Sequence, residues 1–70
     1  MEATQNERLL RLPEVTARTG MSRSTVYARI AEGGFPKPIS LGPRAVGWPS
    51  SEVDAWITRK IEESRKNVAA

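Results

Sequence analysis

A mainly helical domain with a small β-hairpin is what this chain predicts, and three patterns predict it. Two short amphipathic stretches meet at Gly20, an alternation of apolar and polar residues broken by prolines fills 37–48, and a third amphipathic stretch opens near Ser50. Helix, tight turn, helix suits an element that docks on a small core and presents hydrogen-bond donors to a DNA groove. Its 70 residues have room for one small core only. There is no cysteine and no histidine, which excludes a disulfide framework and a Cys/His zinc site. Stability must come from packing, with self-association as a second source.

Each element has its own local cause. Leu9-Leu10-Arg11-Leu12 is a brief strand or the lead into the first helix. Pro13 suits a first helical position, where its missing N–H costs nothing, and Glu14 in the first turn complements the helix dipole. Val15 points inward, and Gly20 closes the helix as a residue free to take positive φ. Met21 tucks under the turn and Ser22 is the N-cap of the second helix. Val26 and Ile30, four apart, form its buried stripe before Gly33-Gly34 ends it. Phe35-Pro36 restarts the chain in extended form, because a residue before proline avoids the helical region.

Lys37 to Leu41 alternates, Gly42-Pro43-Arg44 supplies turn chemistry, and Ala45 to Trp48 returns. Prolines at 36, 38 and 43 keep these strands short, and so small a sheet must lean on the helices. Pro49-Ser50-Ser51-Glu52 opens the last helix, either serine serving as N-cap, and Ser51 with Asp54 has capping-box spacing. Val53, Trp56, Ile57 and Ile61 follow at helical spacing and are expected in the core. The pattern then stops. The expected organisation is a flexible polar tail at 1–8, the domain at 9–62 and a frayed end at 63–70.

The formal charge is +3, and its placement matters more than its size. Residues 1–14 are net −1 and residues 52–70 are neutral, whereas 15–51 hold Arg18, Arg23, Arg29, Lys37 and Arg44 against Glu32 alone, net +4. A polyanion is the natural partner of such a segment. No apolar run approaches the roughly 20 residues that span a bilayer, and Met1 to Glu7 is polar and acidic, unlike a signal peptide. A soluble, cytoplasmic protein without membrane contact is expected.

Catalysis has little to work with. Histidine and cysteine are absent, Glu52 and Asp54 serve a helix start, Glu62 and Glu63 lie on a solvated face, and no glycine-rich phosphate loop is present. The expectation is a non-enzyme with no cofactor, no metal and no small-molecule effector.

The second helix holds the candidate site. Major-groove reading wants Arg, Ser and Thr near a helix N-terminus, where Arg pairs with guanine O6 and N7 and hydroxyls bond bases or phosphates. Ser22, Arg23, Ser24, Thr25, Tyr27 and Arg29 supply that set, Ser22 first as a cap. Tyr27 divides between packing its ring on the wing and reaching a phosphate. Arg44 at the hairpin tip suits the backbone or the minor groove, and Lys37 a phosphate. Trp48 and Trp56, on a strand end and an amphipathic helix, belong to the core rather than to base stacking.

Longer stretches resemble a known family. Leu12-Pro13-Glu14-Val15, Thr19 to Tyr27 (TGMSRSTVY), Gly34 to Gly42 (GFPKPISLG), Val46-Gly47-Trp48 and Ser51 to Ile57 (SEVDAWI) are similar to the AlpA-type prophage regulators, in the same order across residues 9–60. The resemblance implies a MerR-like winged helix-turn-helix related to phage excisionases, binding DNA without a cofactor. It places Arg23, Ser24, Thr25, Tyr27 and Arg29 on the recognition helix and Arg44 on the wing. Arg29 stands where the general pattern has an apolar residue, and Thr16 where it has alanine; both match the MerR-like variant.

The function expected is sequence-specific binding of double-stranded DNA to regulate transcription of prophage or integrase genes. Copies would assemble on repeated sites, because one such module covers few base pairs. An excisionase that bends attachment-site DNA and engages an integrase is the alternative; a protein-interaction module using the last helix is a second.

Overall fold

The structure is a computed structural model and describes residues 7–69. Its elements are β1 (Leu9–Leu10), α1 (Leu12–Thr19), α2 (Arg23–Glu32), β2 (Ile39–Gly42), β3 (Ala45–Pro49) and α3 (Ser50–Ala69). The described residues are thus three helices and one antiparallel sheet in the order β1-β3-β2, a winged helix-turn-helix as the sequence predicts. None of the described helices is long and apolar enough to cross a membrane.

Glycines make the helix pair compact. Gly20 (φ 76°) and Gly33 (φ 82°) are both left-handed and close α1 and α2, their N–H groups bonding back to the carbonyls of Thr16 and of Arg29 and Ile30. A side chain at either position would strain the turn. α1 opens one residue earlier than the proline suggests, with Arg11 as N-cap and Leu12 as first helical residue. Arginine cannot accept a hydrogen bond, so half a capping box remains: the Arg11 N–H donates to Glu14 Oε1 at 3.1 Å.

The core lies between the helices and the inner face of the sheet. Leu10, Val15, Val26, Phe35, Trp48, Val53 and Trp56 are buried, with Leu12, Met21, Ile30, Val46 and Ile57 packed around them. Leu10 pairs with Trp48 across β1 and β3. Both tryptophans are core residues, and their indole N–H groups donate to the carbonyls of the glycine-proline connection: Trp48 Nε1 to Pro36 O at 2.9 Å, Trp56 Nε1 to Gly34 O. Phe35 meets Trp56 edge-on at 4.9 Å between ring centres. The Phe35-Pro36 restart is therefore a junction that both indoles hold.

Several expectations need correction. Ile61 is 45% exposed and outside the core. A 20-residue helix is about 30 Å long, so it outruns the small body it packs on, and Ile57 is the last residue of its inward stripe with core contact. α3 nevertheless continues through Ala69, where the end of the apolar pattern predicted fraying from 63. Good helix formers and a Lys60–Glu63 pair at 3.6 Å support the overhang.

The N-terminal side differs as well. Residues 1–6 lie outside the described part, but Glu7 and Arg8 of the expected tail are tied down. Arg8 exchanges hydrogen bonds with Ser50, and the Glu7 carboxylate takes the Ser51 N–H at 3.1 Å and the Ser51 hydroxyl at 2.9 Å. Both serines fall inside the first turn of α3, and an acid 44 residues away in sequence takes the first-turn amide instead. The expected Ser51/Asp54 box is absent, Asp54 pairing with Arg18 at 2.8 Å.

The alternation of β2 does not bury one face: Ile39 and Leu41 are 45% and 41% exposed. β2 is an edge strand with a register shift between Ser40 and Gly42, and its apolar residues lie over Gly47 rather than in the core. A Cβ at Gly47 would stand 3.0 Å from Leu41 Cδ1 and 3.4 Å from Leu10 O, so any larger residue there would have to push the exposed Leu41 side chain aside by a few tenths of an ångström.

Candidate nucleic-acid interface

The first turn of α2 is organised by Ser22. Its Oγ accepts the Thr25 N–H at 3.2 Å, donates to Thr25 Oγ1 at 3.0 Å and lies 3.4 Å from Ser24 Oγ. A serine N-cap satisfies an amide that the helix cannot. These hydroxyls thus form one local cluster, in which Ser22 and Thr25 are committed to the cap. Arg23, next to them, is exposed and makes no ion pair among the described residues.

Further along α2, Tyr27 stays 41% exposed while its ring meets Trp48 of β3 at 6.4 Å and 62°. α2 and β3 are joined at that contact. Arg29 is not free: its Nη1 is 3.4 Å from Glu32 Oε1, both side chains being more than half exposed. Spacing alone would have flagged Glu32, three residues after Arg29 and the only acid between 15 and 51.

Lys37 is exposed in the connection from α2 to β2, and Arg44 occupies the hairpin turn with φ 61°, the left-handed region. Neither makes an ion pair among the described residues. Of the five basic residues between 15 and 51, Arg18 and Arg29 face acids and Arg23, Lys37 and Arg44 do not. The uncompensated charge of the segment is thereby narrowed to the start of α2, its exit and the hairpin tip. Arg18, counted with the basic segment in sequence, braces α1 against α3 instead.

Ion pairing elsewhere serves the fold. Arg8 bonds Glu14 at 2.8 Å, and the Glu14 carboxyl is held below its ordinary pKa, first by the Arg11 N–H and then by that guanidinium. Among the described residues no group of acids is placed to hold a metal.

Residues 8–61 match the family described as prophage CP4-57 regulatory protein (AlpA). An uncharacterized protein, ORF88, of Enterobacteria phage P4 is 45% identical over 64 residues, covering 91% of this chain and 73% of its own length. The DNA-binding transcriptional activator AlpA of Escherichia coli K12 is 39% identical over 61 residues, covering 79% of this chain and 87% of its own. No solved structure matches. The matched region runs from the residues that tether β1 to the middle of α3, through the helix pair and the hairpin, and on that ground the chain belongs to the AlpA family of prophage regulatory proteins.

Proposed function

We propose that the chain is a sequence-specific double-stranded DNA-binding regulator of prophage transcription, with α2 as its major-groove reader and the β2–β3 hairpin as its wing. The placement of the uncompensated cations carries the reading: Arg23, Lys37 and Arg44 make no ion pair among the described residues, in a segment of net charge +4. The E. coli relative named as a DNA-binding transcriptional activator supports it. Arg23 on the first turn is the base reader. Ser24, Tyr27 and the amides of that turn bond phosphates; Ser22 and Thr25 act by holding the turn. Lys37 and Arg44 grip the flanking backbone, Arg44 with access to the minor groove. No cofactor or effector takes part, and copies assemble on repeated sites because one module reads few base pairs.

The test is selection of genomic fragments by the purified protein, followed by footprinting. Protected repeats at a promoter, with affinity falling steeply as salt rises, are the expected result. Protection confined to an integrase attachment site would move the role to excision. A failure to enrich any duplex at low salt would overturn the DNA-binding reading in favour of a protein-interaction role.

A further inference from the structure

α3 is neutral along the chain but not around its axis. Residues 52–70 hold four acids and four bases, yet the side of α3 that faces the end of α1 is basic. There Trp56, Ile57 and Ile61 floor a groove, rimmed by Arg18 of α1 and by Lys60 and Arg65 of α3. No acid among the described residues lines it. Glu62 and Glu63 follow Ile61 by about 100° and 200° round the helix, off the groove. The groove exists because the helices differ in length: α1 stops at Thr19, whereas α3 runs on to Ala69. Past Ile57 α3 has no core to cover it, and Ile61 is left 45% exposed. A single exposed isoleucine is ordinary. An apolar floor inside a rim of one charge is a recognition feature.

We propose that this groove docks a short acidic amphipathic helix of a partner protein, on a face separate from the DNA-binding residues. Floor and rim call for the two sides of such a helix. Ile57 and Ile61 stand one turn apart, and apolar side chains at i, i+3, i+4 and i+7 of the docked helix cover them. Its flanking carboxylates then meet the cations. Two of these already have acids outside the groove, Arg18 with Asp54 at 2.8 Å and Lys60 with Glu63 at 3.6 Å. Neither pair has to open. Arg18 bonds Asp54 through Nη1, and a guanidinium with five donors or an ammonium with three can take a second carboxylate. Arg65 makes no ion pair among the described residues. DNA fits the rim but not the floor, because a phosphate backbone gains nothing from covering isoleucines. A second copy fits the floor but not the rim, since α3 laid on α3 sets like charges together. None of Arg23, Ser24, Tyr27, Lys37 and Arg44 lines the groove, so partner and duplex do not compete for residues.

The probe is a fluorescein-labelled synthetic helix with leucines at that spacing and glutamates beside them, titrated with the full chain and followed by anisotropy. Its counterpart carries lysine for every glutamate. Saturable binding of the acidic helix, weakening with salt, and no binding of the basic one are expected. Ile61→Glu should weaken binding about tenfold; Arg65→Gln should weaken it less and flatten its salt dependence. Both positions are exposed, so circular dichroism should match wild type and affinity for the selected duplex should not change. Arg23→Ala should leave peptide binding as it is. The proposal is overturned if the acidic helix does not saturate or the basic one binds equally well. A loss with Arg23→Ala rather than Ile61→Glu also overturns it, by placing the peptide on the DNA-binding residues. So does a fall in duplex affinity and salt slope for Arg65→Gln, which makes the groove a DNA contact, or a dimer in sedimentation that Ile61→Glu dissociates, which makes the occupant a second copy. The peptide titration contains no DNA, so a wild type that binds no duplex bears on the DNA-binding reading alone.

Discussion

Arg23 follows the N-cap of α2, so its guanidinium is carried on a turn whose geometry is held by three hydroxyls. Arg23→Ala is expected to weaken binding to the selected site by about 1–3 kcal/mol and to relax preference at one base pair. Titration against a panel of single-substituted duplexes measures both, and equal losses on every duplex would make Arg23 a phosphate contact. Arg44 poses a different question, because a non-glycine residue at φ 61° is strained. Arg44→Gly removes that strain together with the charge. Stability in urea should rise by about 0.5–1 kcal/mol while DNA affinity falls and the salt slope loses about one contact. A stability that falls instead would mean that the arginine is held at the turn by contacts worth more than the strain.

At the scale of elements, capping divides into a local and a remote kind. Ser22 could be read as a cap from sequence, since its partner Thr25 is three residues away. The α3 amide cap could not, because the accepting carboxylate of Glu7 stands 44 residues from Ser51 and no spacing rule reaches so far. α1 mixes the two, with Glu14 bonded to the Arg11 N–H and to the Arg8 guanidinium. The folded state lowers the pKa of Glu14, so the stabilisation is present above the ordinary carboxylate range and is lost as pH falls through the folded value. Glu14→Gln should therefore be less stable than wild type near neutrality, and the gap should close below about pH 4. Paired urea melts across that range check it; a gap independent of pH would assign the loss to side-chain packing.

For the whole molecule, Trp48 is the residue on which the parts meet. It is fully buried, pairs with Leu10 of β1, donates to Pro36 O and meets the ring of Tyr27 from α2. Truncating a buried tryptophan to alanine costs about 3–5 kcal/mol, and a domain of this size is stable by about 4–10 kcal/mol. Trp48→Ala should thus lose about a third or more of the stability of the fold, read by circular dichroism in a urea titration. Trp48→Phe keeps the ring but leaves the Pro36 carbonyl without its donor, at a cost of about 1–3 kcal/mol. If Trp48→Ala melts like wild type, the sheet is not what holds the helix pair.

The sequence by itself determined the element order, the glycine stops, the Ser22 cap and the tryptophans of the core. All of these follow from periodicity, positive-φ chemistry and caps within a few residues, which are local properties. It also located the basic segment, since charge is counted along the chain. Only the tertiary structure decided which of those charges remain available: Arg18 is taken by Asp54 on another helix, while Arg23, Lys37 and Arg44 are left without acids among the described residues. The same holds for Ile39, Leu41 and Ile61, apolar at core-like spacing yet exposed. Spacing fixes the face on which a side chain lies, but burial depends on whether another element is long enough, and near enough, to cover it.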